Sequence, residues 1–244
     1  MNGVIRLLRE RKSVRAFSDR GITQREKDLI FDAAIQAPTA GNQVLYTILD
    51  ITDGTIKDEL AVSCDNQPFI ARAPMVLIFL ADCRRWLDCY RLAGAEYRNP
   101  GVGDLILACE DALIAAQNAV IAAESLGMGS CYIGDILENK EKIEKLLALD
   151  RYVFPVTMVV FGYPTEQQKA RRKPRRFDKK YIVRENRYTP LDEDTLRAMH
   201  KEQSGDRDYD FDAFMRAFCT RKYMSEFAVE MTRSVAEYLK SFEG

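Results

Sequence analysis

The longest apolar stretch of this chain, residues 105–126, is rich in alanine but is interrupted by charged and amide side chains. A membrane span of this length seldom carries so many polar groups, whereas a core helix holds them on its wetter face. Gly127 directly after the stretch is typical of a helix C-cap. We therefore expect one long core helix over 104–126 and no membrane partner. The interrupting residues are Glu110, Asp111, Gln117, Asn118 and Glu124.

Helices and strands alternate around this helix. Thr23 and Glu26 form a capping-box pattern at the start of a helix that Pro38 ends. A further amphipathic helix is predicted over 138–149. Interleaved helices and strands imply an α/β or α+β sandwich. Four segments have strand character, namely 44–51, 75–82, 129–133 and 155–162.

We expect a single domain over residues 1–244, a length that is ample for a buried core. Residues 84–103 are rich in Arg, Tyr and Gly without clean periodicity, which is typical of a mobile, lid-like segment. The chain from 205 to 244 is expected to be a C-terminal helical extension, with one or two helices between 211 and 242.

Composition excludes several classes of function. The 36 Lys and Arg nearly balance the 37 Asp and Glu, so no overall field favours nucleic acid or an anionic membrane. Six cysteines without a C-x-x-C pair are typical of reduced thiols in a cytoplasmic protein. His200 is the lone histidine, which argues against a zinc site and a Ser/His/Asp triad. Neither a Walker loop nor a G-x-G-x-x-G fingerprint is present.

Two basic segments, 11–15 and 173–176, lie far apart in a chain of net charge −1. Arg and Lys donate charge-assisted hydrogen bonds to phosphate, so the pair predicts a shared site for a phosphate monoester. Each segment also has a plainer interpretation. The first segment is also typical of a solvated helix end. The second is also typical of a nuclear-type basic patch or of a nucleic-acid contact.

Two turns have a composition that would allow their backbone to contact a flat ring closely. Residues 38–43 read Pro-Thr-Ala-Gly-Asn-Gln, where short side chains and a glycine let backbone approach a ligand. Residues 132–135 read Tyr-Ile-Gly-Asp between a strand and a helix, where backbone N–H groups can face a cofactor edge. As isolated patterns, both are also ordinary loops.

The order of these segments along residues 4–195 resembles the nitroreductase family. The resemblance rests on R-K-S-V-R-A-F, on DALIAAQNAVIAAESLGMGSCYIGDI (111–136), on FPVTMVVFGYP, on KPR and on V-R-E-N-R-Y-T-P-L. Within the family, the chain is most similar to the oxygen-insensitive major-nitroreductase and flavin-reductase branch. The resemblance implies an α+β fold, with a mixed sheet flanked by helices in a three-layer sandwich. It also implies a homodimer that binds flavin mononucleotide (FMN) at its interface.

The resemblance further implies a set of FMN-binding residues. Two departures from the family pattern affect it. The turn carries Thr-Ala-Gly where consecutive serines are common, and an aspartate at position 135 replaces a second glycine and adds an anion near the ring. The implied set is Arg11, Lys12, Ser13 and Arg15; Pro38, Thr39, Ala40 and Asn42 from the other subunit; Gln67; Tyr132, Ile133, Gly134 and Asp135; and Lys173 with Arg175.

The implied activity is hydride transfer from NADPH or NADH through bound FMN to small-molecule electron acceptors by ping-pong kinetics. Nitroaromatics, quinones and free flavin are the acceptor classes. The chemistry belongs to the flavin, and Arg15 is the candidate cation beside its N1–C2 carbonyl edge. Two alternatives stay open, namely a relative with other flavin chemistry, such as dehalogenation or flavin breakdown, and a non-catalytic flavin-binding protein.

Overall fold

The computed structural model describes residues 2–243, which form two compact units. The main unit comprises Met1–Arg171 with Val229–Gly244, and the second comprises Arg172–Ala228. Neither boundary of the second unit coincides with position 205, where the sequence places the start of a C-terminal extension.

A four-stranded antiparallel sheet lies at the centre of the main unit, in the order β1-β2-β4-β3. The sequence predicted all four strands, two of them to the residue. Pro155 lies inside β4, opposite Leu80, where the register with β2 shifts, and a bulge tolerates the missing N–H of proline. The strands are β1 Tyr46–Asp50, β2 Met75–Asp82, β3 Gly129–Ile133 and β4 Val153–Gly162.

Helices cover both faces of the sheet, so the main unit has three layers. Alternate residues of β2 point to opposite faces, with Leu77 and Phe79 in one core and Val76 and Ile78 in the other. Fully burying one such side chain contributes about 1.5–3 kcal/mol. The α+β class and the sandwich are confirmed. All three strand pairs are antiparallel, and the parallel element expected in a mixed sheet is the isolated bridge between Ser13 and Ser130.

The core helices of the main unit begin and end close to their predicted limits. Thr23 and Glu26 exchange both capping-box hydrogen bonds at the start of α2, as the sequence predicted. Helix α3 was not predicted, and α4 occupies half of the segment that was expected to be irregular. The helices are α1 Gly3–Glu10, α2 Gln24–Ile35, α3 Gly54–Ser63, α4 Arg84–Leu92, α5 Val102–Ser125, α6 Lys140–Leu147 and α7 Glu166–Ala170.

Helix α5 is long and apolar enough, by length and composition alone, to cross a membrane. Its buried face is mostly alanine, which lets it pack closely on α2 and on all four strands. The prediction of a core helix is therefore confirmed. It also exposes large aliphatic side chains, among them those of Ile106, Leu107, Leu113 and Ile114.

The second unit is helical in the part of the chain that the structure describes. Asp192 caps the start of its longest helix, and Gly205, with φ of 68°, ends it. Between 211 and 242, where the sequence predicted one or two helices, the structure has α10 and α11, joined through a π-helical turn, Cys219–Tyr223. From Val229 onwards α11 belongs to the main unit. The remaining helices are α8 Lys179–Ile182, α9 Glu193–Ser204, α10 Phe211–Phe218 and α11 Glu226–Leu239.

Candidate functional site

The first basic segment runs beside the start of β3. The Val14 N–H donates to Ser130 O at 2.9 Å, and Ser13 forms a parallel bridge with Ser130. Val14 packs so closely on Gly129 that a Cβ at position 129 would collide with it. The glycine at 129 is therefore what allows residues 11–15 to lie against β3.

Two guanidinium groups of this segment flank the Cys131 thiol. Burial raises the pKa of Cys131, and Arg15, Ser13 and Arg11 act in the opposite direction. Arg11 lies over the Tyr132 ring at 5.7 Å and contacts Ser130 Oγ at 3.5 Å, while its Nε is buried without a partner. Within residues 2–243 neither arginine has a carboxylate in ion-pair range. The cluster thus presents uncompensated positive charge.

Gln67 and Asp135 lie together at the end of β3. The Gln67 side-chain amide donates to Cys64 O at 2.8 Å and to Asp135 Oδ2 at 3.1 Å. Two residues after Gln67, the ring of Phe69 lies 5.9 Å from the Arg15 guanidinium. The structure therefore brings together three of the five predicted segments, namely 11–15, Gln67 and 132–135.

Lys12 is the member of the first segment that points elsewhere. Its ammonium donates to Lys169 O at 2.7 Å and to Arg171 O. These carbonyls lie at the end of α7, where helical C=O groups lack intrahelical partners. In this structure the Lys12 charge thus stabilises a helix terminus, while Arg11 and Arg15 lie along β3.

The turn of residues 38–42 is held by a buried carboxylate. Asp111 of α5 is 3% exposed and accepts from Ala40 N at 2.9 Å and from Leu45 N at 3.1 Å. Trp86 of α4 donates to Gln43 O at 2.8 Å. Asp111 and Trp86 thus hold the turn and the residues that follow it against α5 and α4, and among residues 2–243 no hydrogen bond joins the turn to residues 11–15, Gln67 or 132–135.

Lys173 and Arg175 belong to the second unit, where they line a cavity of about 450 Å³. The Arg175 guanidinium lies where a Cβ on Gly205 would project, and Gln203 Nε2 donates to Arg175 O at 3.2 Å. His200 of the same cavity packs edge-on against Phe177 and Phe211, and burial lowers the pKa of this histidine. This cavity combines cations with aromatic rings.

Helix α4 builds a second aromatic cavity, of about 350 Å³, in the main unit. Trp86 and Tyr90 lie 5.8 Å apart between ring centroids, and Tyr90 and Tyr97 lie 6.2 Å apart. The sequence indicated a Tyr-rich, lid-like segment over 84–103 but not the helix that groups these rings. The role of Asp111 was not predicted, although a carboxylate inside an alanine-rich helix is a signal for it.

Comparison with known proteins identifies the family. The sequence profile of the nitroreductase family matches residues 8–163, and the chain belongs to this family. That range includes four of the five predicted segments, whereas Lys173 and Arg175 lie beyond it.

Two curated relatives and one solved structure show how close the similarity is. The chain is 34% identical over 206 residues to an oxygen-insensitive NADPH nitroreductase of Salmonella typhimurium, covering 83% of this chain and 81% of the relative. It is 31% identical over 178 residues to an FMN reductase [NAD(P)H] of Bacillus subtilis, covering 72% and 70%. The structure of NfrA2 from B. megaterium matches with a TM-score of 0.83 and 26% identity, over 100% of this chain and 99% of that one.

Proposed function

We propose that this protein is an FMN-dependent NAD(P)H oxidoreductase. The observation that carries the proposal is the pair of uncompensated guanidinium groups along β3, with the Arg11 Nε buried and unpartnered. Burying such a group is costly unless an acceptor satisfies it. The relatives named above are an NADPH nitroreductase and an FMN reductase, and they support FMN as the anion that these guanidinium groups bind.

The residues of the main unit suit FMN by their chemistry. Arg11 and Ser13 would donate to phosphate or ribityl oxygens. Arg15 would hold positive charge near the N1–C2 carbonyl edge, where reduced flavin is anionic. Gln67 would bind the pyrimidine edge, and the backbone of 132–135 would contact the ring. Lys173 and Arg175, in the second unit, are proposed from the family resemblance as ligands of a phosphate. When bound, FMN supplies hydride chemistry between a nicotinamide and an acceptor.

The active form on this proposal is a homodimer. The turn of residues 38–42 is held by Asp111, and in the part of the chain that the structure describes no hydrogen bond joins it to residues 11–15, Gln67 or 132–135, which supports contact with the flavin of a partner subunit. The exposed aliphatic face of α5 (Ile106, Leu107, Leu113 and Ile114) supports the same assembly, because exposed apolar residues clustered on one helix mark protein interfaces.

We assign small, planar electron acceptors to the site, namely nitroaromatics, quinones or flavins, reduced by a ping-pong cycle in the cytoplasm. The three rings of the α4 cavity support this class, because aromatic side chains stack on flat ligands. That cavity is also lined by Gln43, which directly follows the turn of residues 38–42, and by Leu45.

The test combines cofactor identification with initial-rate kinetics. Heat-released cofactor from the purified protein should co-elute with FMN rather than FAD. With FMN loaded, oxidation of NADPH and NADH by a quinone should give parallel double-reciprocal lines. Bound FMN without any turnover would favour a non-catalytic flavin-binding protein. NAD(P)H-dependent release of halide from a halogenated substrate, or net loss of FMN during turnover, in a protein that does not reduce a quinone would favour other flavin chemistry. A protein that binds no FMN would overturn the proposal.

A further inference from the structure

Glu138 is an ionisable residue beside the candidate site that none of the roles above uses. It follows the 3₁₀ turn Gly134–Leu137 and is only 5% exposed. Its backbone N–H donates to Asp135 O at 3.1 Å, while its Oε1 is buried without a hydrogen-bond partner. Almost every buried carboxylate has a cation or several donors, so this one needs an explanation.

The charged groups that act on Glu138 are acids from three elements. They are Asp135 of the 3₁₀ turn, Asp65 after α3 and Glu230 of α11. Burial first, and then these charges, raise the pKa of Glu138 to about 7. A carboxyl in such surroundings keeps its proton well into the neutral range.

The cations on the surrounding elements are engaged with other acids. Lys142 of α6 pairs with Glu59 at 2.9 Å. Arg233 of α11 pairs with Glu141 at 2.9 Å and with Glu230 at 2.8 Å. Glu230 is therefore largely compensated, and Asp135 is the acid whose charge bears most directly on the site.

Glu138 is coupled to the candidate flavin site through Asp135. The Glu138 N–H donates to Asp135 O across the 3₁₀ turn, and the charge of Asp135 is the largest cause after burial of the raised pKa of Glu138. Two carboxyl groups can share a hydrogen bond only if one of them carries a proton. Asp135 Oδ2 in turn accepts from Gln67 at 3.1 Å. Asp135 therefore connects Glu138 with the side chain assigned to the pyrimidine edge.

We propose that Glu138 is a positioning residue whose protonated carboxyl holds Asp135 in the orientation that anchors Gln67, so that flavin affinity depends on the protonation of Glu138. This inference rests on the proposed FMN site. Deprotonation places two carboxylates against each other, which repels Asp135 from its position and releases the Gln67 amide. It also adds a negative charge close to an anionic ligand.

The expected pH dependence of FMN binding follows because the protonated form of Glu138 favours binding. FMN binds most tightly when Glu138 is protonated, so affinity is highest below pH 7 and falls as the pH rises through that value. Losing one net hydrogen bond and adding one repulsion weakens binding by about tenfold, which is roughly 1.4 kcal/mol.

Three variants test this by fluorescence titration of FMN into apoprotein across a pH series. Glu138→Gln keeps a donor without a titrating group, so its affinity should match that of the wild type at low pH and stay flat as the pH rises. Glu138→Leu lacks the donor, so it should bind weakly at every pH. Glu59→Gln is the matched control, because it removes the carboxylate that pairs with Lys142. Its FMN affinity should depend on pH as that of the wild type does. Identical profiles in wild type and Glu138→Gln would overturn the proposal.

A second readout needs no flavin and separates this inference from the proposed function. Carbon-13 labelling of glutamate in apoprotein should show one side-chain carboxyl that titrates near pH 7 and is missing in Glu138→Gln. Asp135→Asn, which removes the facing charge, should move that titration to lower pH. If the carboxyl titrates as expected but FMN does not bind, the flavin assignment fails and the coupling stands. If every glutamate titrates in the ordinary acid range, or Asp135→Asn leaves the titration unmoved, the coupling itself is wrong.

Discussion

Asp111 joins the turn at residues 38–42 to the segment that follows it, because one of its oxygens accepts from Ala40 N at 2.9 Å and the other from Leu45 N at 3.1 Å. The carboxylate is buried within the alanine face of α5. A core helix thus fixes the shape of a turn that we assign to the cofactor of the partner subunit.

Replacing Asp111 by Ala should lower both stability and FMN affinity. Each buried N–H left without an acceptor costs about 1–3 kcal/mol, and two are affected. Asp111→Asn keeps one acceptor and should lie between the wild type and Asp111→Ala. Glu110→Gln, at the exposed neighbouring position of α5, is the control and should unfold like wild type. Thermal unfolding and FMN titration measure the effects. Wild-type behaviour of Asp111→Ala would show that the turn is held by other contacts.

Arg11 and Lys12 should differ in their effect on FMN binding, although they are adjacent cations. Arg11→Ala removes a charge-assisted donor, worth about 1.5–3 kcal/mol or roughly 10–150-fold in affinity, and Arg175→Ala should act similarly. Lys12→Ala should weaken binding less, because the Lys12 ammonium donates to the carbonyls of Lys169 and Arg171 at the end of α7. FMN titration at two salt concentrations should show a smaller salt dependence for Arg11→Ala. Equal losses for Arg11→Ala and Lys12→Ala would contradict this assignment.

His200→Gln should leave turnover within a few-fold of wild type, because hydride transfer at a flavin needs no imidazole. Burial lowers the pKa of His200 from its ordinary 6.5, so the neutral form is favoured in the folded state. Its contribution to stability is therefore present above pH 6.5 and lost as the pH falls through the lowered pKa. The variant should lack this component of acid sensitivity in thermal unfolding. Loss of turnover with flavin still bound would refute the proposed chemistry.

FMN binding and dimerisation should be linked, since a ligand that binds only the dimer stabilises it by mass action. Dilution should release FMN and activity together, and excess FMN should protect both. Leu113→Glu places a charge on the exposed α5 face and should favour monomer, whereas Leu92→Glu, at an exposed position on α4, should not. Sedimentation across a concentration series is the measurement. A fully active, flavin-loaded monomer would show that the turn of residues 38–42 does not contact the flavin of a partner subunit.

The sequence predicted the elements whose signals are local and strong. The capping box at Thr23, the apolar run of β2 after Pro74 and the glycine after α5 each predicted a boundary correctly, because interactions between neighbouring residues determine them. Helix α4 was not predicted, although Trp86, Leu87 and Tyr90 lie on one face of it, because charged residues such as Arg84 and Asp88 dominate this short segment.

Within the candidate site, residue type predicted which side chains carry charge but not where they point. Lys12 and Arg11 are indistinguishable by composition, and only the position of the carbonyls of Lys169 and Arg171 separates them. The protonation of Glu138 likewise depends on Asp65 and Glu230, which are remote in sequence. Long-range packing sets both features, and no local pattern encodes them.

Anaerobic mixing of the FMN-loaded protein with NADPH, without any acceptor, tests the central claim most directly. The account predicts that the visible flavin absorbance bleaches in one exponential phase, with one nicotinamide oxidised per flavin. Adding a quinone should then restore the absorbance in a second, separate phase. A flavin that keeps its oxidised spectrum in excess NADPH and NADH would contradict the account.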